Sequence, residues 1–356
     1  MSAPVQLSDA VEVFLTTRAS RYSKATVKNE GFVLRRFVAT IAGGRDIQVR
    51  NLTAEHVEAW FVALRAPHTD RTGIARPPIQ AASWNYYRDR IKSFVTYCAR
   101  RGWTRADLLG HVHPLKVASR VRLQPSVDLL LAMLENTSQP RDRAVLACAM
   151  NTGLRAGEIA RLHVGDVDLD TLTLRVWVSK SQIEDDMPIT SDLASEMQIW
   201  LAAYALSIER PLLDTDMLLP ASTGPRYRWR TSPDGVKERY QVPSTYVPHR
   251  PVTKLHRIAQ QGLRSLGLPT RHEGIHTLRR AVARHFYDSL AADPQRGHDG
   301  AIRVVMTLLH HTNVSTTEHY LGVTGERRAR DESLRGRSFL VPSTSAKVIA
   351  INRRGA

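Results

Sequence analysis

Between residues 7 and 101 the apolar residues recur at helical spacing, and no stretch alternates at a period of two. That pattern restricts this part of the chain to packed helices. Leu7, Val11, Phe14 and Leu15 make one stripe. Ser23 is placed to cap a second helix with the stripe Val27, Phe32, Val33, Phe37 and Val38, and Thr53 a third carrying Val57, Trp60, Phe61 and Leu64. Arg71 to Pro78 reads as a loop, and Ile79 to Arg101 as one long helix stopped by Gly102. A four-helix domain over residues 1–112 follows. Seventeen Lys/Arg against nine Asp/Glu leave it at +8 through residue 115. Arg88 and Lys92 stand among Trp84, Tyr86 and Tyr87. They suit contact with a polyanion, or simply the solvated face of a core stripe.

The pattern changes after residue 112. Residues 113–123 carry Lys116, Arg120 and Arg122 with few helix signals and read as a basic linker. Beyond Gln124-Pro125 helical stripes resume, interrupted where Leu172, Leu174, Val176 and Val178 alternate onto one face and Met187-Pro188-Ile189 reads as a returning strand. The expected fold class is therefore mainly α: a helical N-terminal domain, then an α-rich domain over 124–335 with a small antiparallel β-sheet. Residues 221–251 hold Arg226, Tyr227, Arg228, Trp229 and Arg230 and read as a basic-aromatic loop insertion. Such a loop is either a disordered surface insertion or a platform for backbone contact and base stacking. Residues 336–356 read as a tail.

Charge narrows the class of partner. The 356 residues carry a formal +16, spread along the chain rather than gathered in one tail. A polyanion follows, with nucleic acid first. An anionic membrane surface is a weaker candidate, because no basic helix with a Trp/Phe/Leu face is present. No apolar run approaches the ~20 residues that span a bilayer. The first residues lack a charged and then apolar leader, so a cytoplasmic protein is expected. Cys98 and Cys148 have no metal-ligand spacing and read as reduced, buried thiols. His111 and His113 have no further ligand nearby.

Three further stretches carry chemistry. In Thr152-Gly153-Leu154-Arg155-Ala156-Gly157-Glu158 an arginine opens a helix, and Glu158 is spaced to reach back to it. His276 and Arg279 are three apart and share a helix face, with Arg280 adjacent. Leu308 to Tyr320 contains His310, His311 and Tyr320. Singly, each fits a plainer reading: a helix cap, a basic helix, a packing tyrosine. His272-Glu273-Gly274-Ile275-His276 also fits the zinc-protease pattern, but Gly274 inside it argues against one regular helix turn.

Taken in order, these boxes resemble the tyrosine recombinases of the phage integrase family, with Xer-like spacing. Arg155 matches the family's first arginine. Lys180, eight residues before Pro188, matches its hairpin lysine. His276 and Arg279 match the His-x-x-Arg box, and His311 and Tyr320 the second histidine and the nucleophile nine residues on. The resemblance implies a SAM-like core-binding domain at the N-terminus. It implies attack of Tyr320 on a DNA phosphate to give a 3′-phosphotyrosine, with Arg155 and Arg279 on the phosphate and Lys180 protonating the 5′-oxygen. His276 would assist proton transfer, His311 would hydrogen-bond the phosphate, Glu158 would support the box, and the cations would favour the phenolate. It implies double-stranded DNA with specific recombination sites as partner, a homo-tetramer in the synaptic complex, accessory DNA-bending or directionality proteins, and no cofactor, ATP or metal. Rival readings are a type IB topoisomerase-like enzyme and a DNA-binding protein without catalysis.

The chain departs from the pattern at three places. His310 stands where a glycine is usual, which implies altered helix packing there. Glu184, Asp185 and Asp186 stand where relatives often carry basic residues, and the 221–251 connection is longer than usual.

Overall fold

Helix α1 (Leu7–Ala19), α2 (Lys24–Val38), α3 (Ala54–Arg65) and α4 (Ala81–Arg100) bury their stripes against one another. The computed structural model describes residues 4–323 and Ser333, except 70–72, 106, 119–121, 225, 233, 243–244 and 294. It divides into two compact units, Met1–Val121 and Arg122–Ala356. In the first, Ser23 and Thr53 cap α2 and α3 by accepting the N–H of Thr26 and of His56. Strands β1 (His68–Thr69) and β2 (Ala75–Arg76) form a short ladder where a loop was expected. Phe32 does not join the expected stripe and is 60% exposed. Val33, Leu34 and Phe37 face the core, and stepping round the helix puts Phe32 on the far side.

A buried carboxylate ties three of these helices. Glu30 on α2 is 1% exposed and accepts from Arg18 on α1 and Arg90 on α4, each at 2.6 Å. Burial pushes its carboxyl up, and the two guanidinium hydrogen bonds outweigh that and hold it below the ordinary value. Removing the acid strands two half-buried cations. Glu30→Ala is expected to lower the stability of this unit by about 2–3 kcal/mol, after allowing for the cations' partial exposure. Urea unfolding followed by Trp fluorescence measures it.

Two expectations for this unit need correction. Arg88, expected at a DNA backbone, is half-buried, and its Nε donates to the carbonyl of Val112 at 2.6 Å. The chain does not leave the unit at residue 113 either. Trp84 Nε1 donates to the His113 carbonyl at 3.0 Å, and the Asn85 amide pairs with both the N–H and the C=O of Leu115 at 2.8 Å. Lys92 is exposed and lines a surface groove with Arg18, Arg21 and Arg100. Lys116 and Arg122 are exposed, and Arg120 lies outside the described residues.

The second unit is built around α6 (Pro140–Thr152), whose residues from Ala144 to Met150 are all buried. Helix α5 (Val127–Glu135) precedes it, and the short α7 (Ala156–Ile159) follows. Strands β3 (Val167–Asp168), β4 (Thr173–Val178) and β5 (Ile183–Pro188) make an antiparallel sheet in that order. Leu174, Val176 and Val178 are its buried face. Leu172 is not among them: it sits in the preceding turn at φ +53° and is 42% exposed. Helix α8 (Ser191–Ile208) packs on α6.

The expected loop at 221–251 is folded. Strands β6 (Pro220–Ser222) and β9 (Tyr246–Pro251) pair, and between them β7 (Arg226–Thr231) and β8 (Lys237–Val242) form a hairpin in full register. The alternation of Arg226, Arg228 and Arg230 with Tyr227 and Trp229 is a strand signal. Trp229 is 68% exposed and Arg230 pairs with Glu238, whereas the side chains of Arg226 and Arg228 lie outside those described. Helices α9 (Leu255–Ser265), α10 (Ile275–Ala291), α11 (Gly297–Leu308) and α12 (Val314–Leu321) complete the unit. No described helix is long and apolar enough to cross a membrane.

Candidate active site

Two chain turns meet over α10. The first is the end of α6, where Gly153 at φ +63° stops the helix and Arg155 starts α7. Glu158 is buried and accepts from the Arg155 N–H at 2.8 Å and from its guanidinium at 3.0 Å. Arg155 is left 24% exposed, with its charge directed by an acid that is not itself accessible.

Arg279 lies beneath, only 1% exposed. Its guanidinium donates to the carbonyl of Gly153 and, at 2.6 Å, to that of Leu309, and lies 4.0 Å from Glu158. Burial pushes its pKa down to about 10, so it stays charged at neutral pH. One side chain thus joins α10 to the end of α6 and the end of α11. Arg280, expected to contact DNA, is 3% exposed and is used internally: it donates to the Leu123 carbonyl at 2.9 Å and pairs with Glu273 at 3.2 Å. His276, on the first turn of α10, is exposed. Partial burial of the ring, then Arg279 and Arg155, hold it below the ordinary imidazole pKa. Gly274 admits this arrangement, since a Cβ there would lie 2.0 Å from His256 Nδ1. His272 and Glu273 precede the helix, and His272 is at φ +65°, so the zinc-protease spacing does not fall on one helix.

The second turn joins α11 to α12. His310 donates its N–H to Thr307 O at 2.9 Å and His311 to Met306 O at 3.0 Å, and His310 is at φ +50°. This is a Schellman stop, whose left-handed position favours glycine. Backbone conformation, rather than the close helix approach expected from sequence, is the reason a glycine suits position 310. A histidine there costs about 1–2 kcal/mol. His311 Nδ1 is 3.0 Å from the hydroxyl of Thr317, which is buried. The Tyr320 ring lies edge-on to His311 at 5.6 Å between centroids, and its hydroxyl donates to the His276 carbonyl at 3.3 Å. Burial raises the Tyr320 pKa, and Arg279, Arg280 and Arg155 only partly oppose it. The expected net pull toward phenolate is therefore reversed: desolvation of the ring outweighs the cations.

Burial, then Arg279, Arg155 and Lys180, push His311 down to about 4, so it is neutral at pH 7. The unfolded chain takes that proton near the ordinary 6.5. The unfolded state therefore binds more protons between about pH 6.5 and about 4, and this contribution to stability is lost as pH falls through that window. Ring-proton NMR should show His311 unchanged from pH 8 down to about 5. Lys180 is exposed in the turn joining β4 to β5, where Arg161 donates to the neighbouring Ser179 hydroxyl at 2.6 Å.

All six residues expected to act in catalysis thus lie in one unit. Thr317 and the carbonyls of Gly153 and Leu309 were not foreseen. Residues six apart do not share a helix face and His311 lies outside α12, so none of the three carried a local signal.

The sequence profile of the phage integrase family matches residues 123–327. The chain belongs to that family. The tyrosine recombinase XerC of Proteus mirabilis is 25% identical over 90% of this chain and 91% of its own length. A putative integrase/recombinase of Sinorhizobium fredii is 27% identical over 61% of this chain and 94% of its own. The fold is shared with a lambda integrase dimer bound to a core site, at TM-score 0.60 and 16% identity over 90% of this chain and 97% of that one. A Tn1549 transposon integrase in complex with transposon right-end DNA gives 0.63 at 10% identity, over 92% and 98%.

Proposed function

We propose that this integrase-family chain is a site-specific DNA recombinase that works through a 3′-phosphotyrosine at Tyr320. The observation that supports this best is the shared surroundings of the Tyr320 phenol. Its hydroxyl lies against Arg279, its ring against His311, and Arg155 is near enough to act on its pKa. In this reading Tyr320 Oη bonds to phosphorus as the P–O5′ bond breaks. Arg155 and Arg279 hold the non-bridging oxygens as their charge grows. The neutral His311, with Nδ1 accepting from Thr317, donates Nε2–H to the same phosphate. A neutral His276 takes up the phenol's proton, and Lys180 protonates the departing 5′-oxygen. One ester bond replaces another, so no nucleotide is consumed. A 5′-hydroxyl from a second duplex then reverses the step.

Lambda integrase has been solved as a tetramer on a Holliday junction. That assembly supports a homo-tetramer of this chain in a synaptic complex. Exposed Lys92, Lys116 and Arg122 belong to its DNA contacts, and accessory DNA-bending or directionality proteins to its regulation.

A nicked duplex, selected by the full-length protein from a random-sequence library, tests the reading. Strand exchange between two copies of that site is expected. Relaxation of a supercoiled plasmid without exchange would instead favour a topoisomerase-like activity, and binding without any covalent adduct would mark a protein without catalysis.

A further inference from the structure

Two departures from the family pattern meet in space. His310 Nε2 lies 2.8 Å from Asp185 Oδ2 on β5. A carboxylate only accepts, so Nε2 carries the hydrogen of this contact. Nδ1 is buried with no hydrogen-bond partner among the described residues. His310 therefore bears a left-handed backbone and an unpaired ring nitrogen, neither of which glycine would bear.

The strand pattern selects Asp185 from the three acids. Val176, its register partner, is buried. Alternation sends Asp185 and Met187 toward the protein. Glu184 and Asp186 point the other way, 3.8 and 3.5 Å from Arg175. The two ends of the contact flank chemistry: Asp185 belongs to the hairpin whose turn carries Lys180, and His310 adjoins His311.

We propose that His310 and Asp185 form a clasp that positions Lys180, tying its hairpin to the turn that carries His311 and leads to Tyr320. Both are positioning residues. The clasp rests on the recombinase reading, in which Lys180 gives its proton to the 5′-oxygen as P–O5′ breaks. If O5′ is replaced by sulfur, the leaving thiolate needs no proton. Cleavage then no longer depends on where Lys180 sits.

The test uses the full-length protein and the library-selected duplex, with either oxygen or sulfur bridging at the scissile 5′ position. Wild type is expected to form adduct on both. His310→Gly and Asp185→Ala should cleave the oxygen substrate about 10- to 100-fold more slowly. They should return to within about threefold of wild type on the sulfur substrate, as a lost proton donor requires. Asp185→Asn keeps an acceptor for Nε2–H and should stay near wild type on both. Glycine accepts φ near +50° freely, so His310→Gly should melt no lower than wild type, which separates positioning from folding. Variants that cleave the oxygen substrate at the wild-type rate, or that slow equally on both, overturn the clasp. Wild type forming no adduct on either substrate overturns the recombinase reading itself, and the clasp with it.

Discussion

Tyr320→Phe is expected to abolish covalent capture of DNA while leaving affinity within about twofold of wild type. Among the described residues the phenol is the nucleophile placed against both Arg279 and His311. Removing its hydroxyl costs the 3.3 Å hydrogen bond to the His276 carbonyl and a contact with Arg279, whose guanidinium keeps the Gly153 and Leu309 carbonyls. The fold should therefore lose no more than about 1 kcal/mol. The loss of adduct should be complete, because neighbouring groups arranged for acid–base and electrostatic work cannot form the ester themselves. Denaturing gels on the nicked duplex, beside filter binding of the intact duplex, separate the two effects. A loss of binding parallel to the loss of adduct would assign Tyr320 a structural role.

The second large effect falls on Arg279, where function and fold coincide. Arg279→Met keeps the volume but leaves the Gly153 and Leu309 carbonyls without their donor, at a site only 1% exposed. The expected loss of stability is about 2–4 kcal/mol, read as a shift in the denaturation midpoint. Cleavage should fall by about 10²–10³-fold as well, since a preorganised charge at the phosphate is gone. Arg155→Ala offers the contrast. Its guanidinium is 24% exposed and its main partner is Glu158 three residues on. A similar rate loss is expected there, with a smaller stability change of about 1–2 kcal/mol, because the buried Glu158 keeps the backbone N–H at 155 and Arg279 at 4.0 Å. If both variants were equally destabilised, the division between a buried organiser and an accessible clamp would be wrong.

The parts of the site that sequence made legible are those where residue type and chemistry coincide. A charged fork, an imidazole pair and a phenol in fixed order leave few alternatives. Helix ends were readable for the same reason, since Ser23 and Thr53 accept a first-turn N–H and Gly153 permits a left-handed stop. What stayed hidden depends on where a side chain is spent. Arg88 and Arg280 count as positive charge in any composition, yet their guanidinium groups donate to the carbonyls of Val112 and Leu123. No local pattern announces that use. The β7–β8 hairpin was missed for a different reason. Its arginines and aromatics were weighed as composition, although their period of two already described a strand. His310 concealed most. Where glycine is absent the left-handed turn leaves no mark, and the partner that explains the histidine lies 125 residues away on β5.

Peptide mapping of the adduct identifies the residue that carries the covalent link, expected to be Tyr320. Wild-type protein is trapped on the nicked duplex and digested with nuclease and protease, and the modified peptide is sequenced by mass spectrometry. A nucleotide joined through its 3′-phosphate to Tyr320 is expected, within the peptide that also contains Thr317 and His319. A phosphate on any other residue, or an adduct joined through a 5′-phosphate, would contradict it.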